Sequence, residues 1–130
     1  MKYPHSDVYT RLKKSKVHGI GVFAIIDIPK GTYLFVGDNS EMYWFSVDEL
    51  NFNSMPKPIQ KLYKDFCVYK TEDGINKIGC PSSFNNMPIS WFLNNSESPN
   101  VICDKEYNFY TSRKIKKGEE LTVNYKTYSK

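Results

Sequence analysis

Apolar and polar residues alternate along most of this chain with a period of two, in short runs broken by Gly, Pro and Asn. Val8 to Lys14 mixes the two classes in that way and reads as a first strand, stopped near His18-Gly19. Val22-Phe23-Ala24-Ile25-Ile26 is continuously apolar, as expected of a more buried strand. Ile28-Pro29-Lys30-Gly31-Thr32 is a turn by its Pro and Gly, and it leads into a third strand, Tyr33-Leu34-Phe35-Val36, closed by Gly37-Asp38-Asn39. Met42 to Phe45 reads as a fourth.

The period then changes. Ile59, Leu62, Tyr63 and Phe66 fall at i, i+3, i+4 and i+7 after Pro58, which predicts one face of a short helix packed on a core. Ser46 with Glu49 three residues on predicts a capping box. Glu72-Asp73-Gly74, between Phe66 to Lys70 and Ile75 to Gly79, carries the Asp-Gly signal of a two-residue hairpin. Alternation returns in Val101-Ile102-Cys103 and Phe109-Tyr110-Thr111, joined by a turn at Asp104 to Tyr107. It is cleanest in Leu121-Thr122-Val123-Asn124-Tyr125, after the Lys116-Lys117-Gly118 turn. Many short strands with little helix predict a mainly β fold.

Between these last strands and the hairpin lies Asn94-Asn95-Ser96-Glu97-Ser98-Pro99-Asn100, entered through Trp91-Phe92-Leu93. Asn side chains redirect local backbone groups and Pro99 fixes its own φ, so a rigid, hydrogen-bonding turn is expected behind an apolar anchor. By composition alone this is a surface loop, and its polarity beside so much apolar chain makes it a candidate site.

Composition limits what such a site can serve. At 130 residues, 40% hydrophobic and 15% aromatic, the chain is long enough for one domain, residues 1–130, with a single core. Eighteen Lys and Arg against fourteen Asp and Glu give a net charge of +4, which permits an acidic partner without requiring one. The runs Arg11, Lys13, Lys14, Lys16 and Arg113, Lys114, Lys116, Lys117 read as solvated turns and not as a phosphate-tracking surface, so nucleic acid is not the expected partner. Cys67, Cys80 and Cys103 are odd in number and lack a C-x-x-C pair, which argues against a disulfide framework or a thiolate metal cluster; three reduced cysteines point to an intracellular location, cytoplasmic or nuclear. Neither a signal-peptide core nor a membrane-spanning run is expected, so the reading is a soluble protein without a membrane partner.

Two further segments carry residues suited to a site. His18-Gly19-Ile20-Gly21 places paired glycines between two strands, where the backbone can approach a ligand closely. Gly118-Glu119-Glu120-Leu121-Thr122-Val123-Asn124-Tyr125 ends on a tyrosine. Taken in order with Trp91 to Asn100, the three segments resemble the SET-domain protein lysine methyltransferases, which show a G-x-G, an R-F-x-N-H-S-x-x-P-N loop and a G-E-E-L-T-x-D-Y strand. The resemblance covers roughly residues 9–128, with Trp91 in place of Arg, Asn95 in place of His and Asn124 in place of Asp. The family's Y-x-G is matched by Phe35-Val36-Gly37 alone.

The resemblance implies a SET-domain, β-clip-like fold of several small sheets with one or two short helices, its C-terminal segment forming a pseudoknot beneath the Asn94 loop. It implies S-adenosylmethionine as cofactor, with His18, Gly19, Ile20, Gly21, Asn94 and Asn95 around it: the backbones of His18 and Ile20 at the methionine end, the Asn94 side chain at the amino group, the Asn95 backbone at the adenine edge. Tyr125 matches the catalytic tyrosine. Phe35, Cys103, Val123 and Tyr128 are expected to line a narrow channel for the lysine of a protein substrate, such as a histone-like one. Small Val123 and Cys103 and the hydroxyl-free Phe35 imply room for more than one methyl, which Val123→Tyr would close. Two rivals carry different functions: a degenerate SET domain that binds without catalysis, and a small basic nucleic-acid binder. The resemblance implies no metal.

Overall fold

The structure, a computed structural model, describes residues 4–38 and 41–127. In chain order the elements are β1 (Thr10–Lys14), β2 (Ile20–Ala24), β3 (Tyr43–Ser46), α1 (Val47–Leu50), α2 (Lys57–Phe66), β4 (Val68–Glu72), β5 (Ile75–Cys80), β6 (Asn94–Asn95), β7 (Val101–Cys103), β8 (Phe109–Thr111) and β9 (Glu120–Val123), with single 3-10 turns at Phe52–Ser54, Ile89–Phe92 and Tyr125–Thr127. The fold is mainly strands in small sheets with few short helices, as the resemblance implied. The strands fall in three sheets, ordered β1-β2-β9-β6, β3-β5-β4 and β7-β8. The chain divides into two compact units, residues 1–38 with 89–125 and residues 39–88 with 126–130.

The first unit is built around β9. On one side β9 pairs antiparallel with β2, Val22 opposite Leu121, and on the other it pairs parallel with β6, Asn94 opposite Thr122 and Asn95 opposite Val123. The C-terminal strand therefore runs alongside the Asn-rich loop. Its alternation sends Leu121 and Val123 into a core with Val22, Ala24, Ile28, Leu34, Leu93, Val101, Phe109 and Ile115, each less than a tenth exposed. Asn100, itself 3% exposed, donates from Nδ2 to the Glu120 carbonyl (2.9 Å) and accepts at Oδ1 from the Thr122 N–H (2.8 Å). A side chain thus satisfies the β9 backbone groups that no neighbouring strand takes, which buried amides require.

The second unit holds the hairpin and the longer helix. Glu72 pairs with Ile75 across a two-residue loop in which Asp73 and Gly74 both take positive φ, 53° and 76°, the geometry that Asp-Gly supplies most cheaply. The helix α2 runs from Lys57, with Pro58 in its first turn, where a missing N–H costs nothing. Leu62, Tyr63 and Phe66 are half-buried on it, and Tyr63 meets Phe84 edge-on at 5.1 Å between ring centres. Ile59, first of the expected stripe, is exposed. The Ser46 hydroxyl caps α1 by accepting from the Glu49 N–H. Cys67 and Cys80 lie in the core cluster of this unit with Ile78, and a thiol–thiol hydrogen bond together with burial holds Cys67 far above the ordinary thiol range.

Three strand expectations need correction. Tyr33–Val36 is not a strand: it makes one isolated bridge, Tyr33 to Tyr110, with the Leu34 N–H donating to the Phe109 carbonyl (3.0 Å), and just before it the Thr32 N–H donates to the Thr111 hydroxyl (2.9 Å), so the pairing stays short of a ladder. The strand before the hairpin begins at Val68, since α2 continues through Phe66. The last strand stops at Val123, and Tyr125 opens a 3-10 turn instead of ending the strand.

Candidate functional site

The site is assembled in the first unit from three stretches far apart in sequence. The turn after β1 is closed by the Ser15 N–H donating to the Gly19 carbonyl (2.8 Å), and the Ser15 hydroxyl accepts from the Val17 and His18 N–H groups. That hydroxyl donates in turn to the Glu120 carboxylate, 2.7 Å from Oε1. From the Asn-rich loop, Asn94 Nδ2 donates to the other carboxylate oxygen, Oε2 (2.8 Å), and to the carbonyls of His18 (3.0 Å) and Ile20 (3.4 Å).

Gly21 shows why these stretches can meet. A Cβ there would stand 2.9 Å from Glu120 Cδ and 3.1 Å from Asn94 Nδ2, so a side chain at 21 would push the carboxylate out of its place beside Asn94.

The orientation of Asn94 follows from its neighbours. Two carbonyls and a carboxylate are all acceptors, so the amide nitrogen has to face them and the oxygen has to face away. Among the described residues Oδ1 has no partner, and no side-chain nitrogen or oxygen there is both sealed from solvent and unpaired, so this oxygen reaches solvent as an available acceptor.

Asn95 and Tyr125 adjoin this cluster. The Asn95 side chain accepts from the Tyr125 N–H (2.8 Å) and thereby starts the 3-10 turn that carries the tyrosine. Asn95 was expected to act through its backbone; its side chain has this definite structural task. The Tyr125 hydroxyl donates to the Leu93 carbonyl at 2.5 Å, while 38% of the residue remains exposed. Burial of the hydroxyl end, with a smaller contribution from the Glu120 charge, raises the tyrosine's pKa. Tyr125 is therefore a neutral phenol at physiological pH.

The proposed channel residues are placed less uniformly. Phe35 meets Phe109 edge-on, 5.8 Å between ring centres, and Cys103 pairs with Phe109 across β7 and β8, so these two candidates share one neighbour. The Cys103 thiol donates to the Asp104 carbonyl, and burial followed by the Asp104 charge pushes its pKa up to about 12. It is a thiol, not a thiolate, near neutrality.

Val123 is 1% exposed, a core residue of β9 in this structure. Val123→Tyr is expected to cost about 1 to 3 kcal/mol of stability through overpacking, and a melting temperature equal to that of the wild type would show that the position is not sealed. Tyr128 lies outside the described residues.

Glu120, Ser15 and Asn100 were not singled out by sequence reasoning. Strand alternation places Glu120 opposite the core-facing Leu121 and Val123, where a glutamate ordinarily faces water; the signal that it does otherwise lies in the close approach allowed by Gly21. The basic runs are exposed as expected, with Lys13 over the Phe23 ring and Arg113 paired with Glu119. Among the described residues no group of His, Cys, Asp and Glu could hold a metal ion, and no helix is long and apolar enough to cross a membrane.

Comparison with known proteins agrees with this geometry. A crystal structure of a Plasmodium falciparum protein, described as a candidate histone methyltransferase, matches with a TM-score of 0.54 at 16% sequence identity, over 91% of this chain and 93% of that one, a likeness of fold. No curated protein matches in sequence. The family model for the SET domain matches residues 19–126, a span that includes the glycine turn, the Asn-rich loop and β9. With most of its length matched, the chain belongs to the SET-domain family.

Proposed function

We propose that this chain is an S-adenosylmethionine-dependent protein lysine N-methyltransferase. The observation that carries the reading is the Asn94 amide, held nitrogen-inward beside the glycine turn so that its oxygen is presented as an acceptor. An outward acceptor at this point fits a ligand that carries an amino group, and the residues that would hold the cofactor are Asn94 with the backbone from His18 to Gly21 and at Asn95. When bound, the cofactor supplies an electrophilic methyl on a sulfonium.

The remaining demand on the protein is to align a lysine amine and keep it neutral. A free lysine has a pKa of about 10.4, so deprotonation at pH 7 costs about 5 kcal/mol at about 1.4 per unit. Aromatic walls such as Phe35 with Phe109 disfavour the ammonium by stripping its water. The Tyr125 phenol, fixed by its hydrogen bond to the Leu93 carbonyl, is the group proposed to orient the N–H of an incoming amine. A lysine-bearing, histone-like protein is the substrate class proposed. The small residue at 103 and the hydroxyl-free Phe35 support transfer beyond one methyl, which mass spectrometry at long reaction times reads directly.

Calorimetry with S-adenosylmethionine, followed by radiolabel transfer onto a lysine-containing proteome extract, tests the reading. Binding with transfer is expected; binding without transfer would turn it into a degenerate binding domain, and no binding would end it. Asn94→Ala is expected to weaken cofactor affinity by about 1 to 3 kcal/mol, since both its inward and its outward hydrogen bonds are lost. Unchanged affinity by titration would remove Asn94 from the site.

A further inference from the structure

We propose that Glu120 is the positioning residue of the cofactor site, turning the Asn94 oxygen outward and holding the Ser15–Gly19 turn in register with it. The inference rests on the cofactor reading above and adds to it a residue that never has to touch the reacting atoms.

Three observations lead to Glu120. Its two carboxylate oxygens bind partners from opposite ends of the chain, Ser15 at 2.7 Å and Asn94 at 2.8 Å, and hydrogen bonds to an ionised acceptor are the strong ones. The space it fills is kept open by a glycine whose Cβ would collide with it. Its charge also lacks compensation: it is only partly exposed, and none of the ion pairs among the described residues involves it.

A carboxylate held by neutral donors alone, with no cation beside it, is a place where a cationic ligand is favoured. An ammonium held by the Asn94 oxygen would sit one amide group away from that carboxylate, within reach of its field. Glu120 therefore does two things for one ligand group: it aims the dipole that accepts the ammonium, and it supplies the opposite charge. A neutral group in place of the ammonium gains from neither.

The test compares two ligands, S-adenosylhomocysteine and its analogue without the α-amino group, on the full chain. In the wild type, removal of the amino group is expected to weaken binding about tenfold or more. In Glu120→Gln, of nearly the same volume, that ratio is expected to fall to about twofold, because the charge is lost and a carboxamide accepts at only one of its two ends. A merely structural glutamate would weaken both ligands alike, so an unchanged ratio in a folded Glu120→Gln overturns the proposal. If the variant fails to fold, the wild type still decides. By NMR the Asn94 side-chain NH2 should exchange slowly with and without ligand; exchange as fast as that of an exposed amide overturns the clamp. Failure of the cofactor reading is distinguishable, because it appears as no binding of S-adenosylhomocysteine to the wild type.

Discussion

Tyr125→Phe is expected to keep the fold and the cofactor affinity and to lower methyl transfer about a hundredfold, the scale on which a small misplacement of reacting groups acts. The substitution removes one hydroxyl and almost no volume. What it removes is the hydrogen bond to the Leu93 carbonyl and the phenol oxygen proposed to orient the amine. Losing the bond costs about 1 kcal/mol of stability, a decrease of a few degrees in melting temperature.

The pH dependence separates two roles for the phenol. Burial raises the Tyr125 pKa in the folded state, and the Glu120 charge adds to the shift. The sign follows: its contribution to stability is complete below the ordinary tyrosine value of about 10 and is lost as pH rises through the higher folded value. Between pH 7 and 9 the residue therefore stays neutral. The rate should rise over that range because the substrate lysine loses its proton, and Tyr125→Phe should keep the shape of the rise while lowering its height. A flattened profile in the variant would mean that Tyr125 itself titrates as the base; wild-type turnover would remove it from catalysis.

Asn100→Ala should produce the largest loss of stability. Asn100 spans β9 with two hydrogen bonds, one to the Glu120 carbonyl and one from the Thr122 N–H. Both partners belong to a strand whose neighbours are buried, and alanine leaves both unpaired. At about 1 to 3 kcal/mol for each orphaned group, and less than the sum of two because they are adjacent, the expected cost is about 2 to 4 kcal/mol. For a chain of this size that lowers the melting temperature on the order of 10 °C. Glu120 lies on that strand and Asn94 on the strand paired with it, so cofactor affinity should fall with stability. A melt within about 2 °C of the wild type would show that the clamp is dispensable.

Much of this architecture was legible in residues whose effect is local. Asp73-Gly74 dictated its hairpin because few other pairs take two positive φ values cheaply. The spacing from Ile59 to Phe66 marked a helix, although its first member stayed outside the core. The glycine turn, the Asn-rich loop and the Gly118 to Tyr125 segment named the family through residue types that the site requires, and the family model covers all three.

What the sequence could not carry was the side of each strand that ends up covered, and by what. Alternation in β9 separates Glu120 and Thr122 from Leu121 and Val123, yet it cannot tell how completely Val123 is buried, or that Glu120 meets Ser15 and Asn94 instead of water. Tyr33 to Val36 had the composition of a strand and keeps a single bridge, Tyr33 to Tyr110, while the neighbouring Thr32 N–H goes to the hydroxyl of Thr111, 79 positions away. Ser15 and Glu120 are 105 positions apart, and Asn94 and His18 are 76 apart. Local pattern determines which conformation each segment prefers; which polar groups satisfy one another across such separations is decided only when the strands are brought side by side, because a side-chain hydrogen bond depends on position within a few tenths of an ångström and not on proximity in sequence.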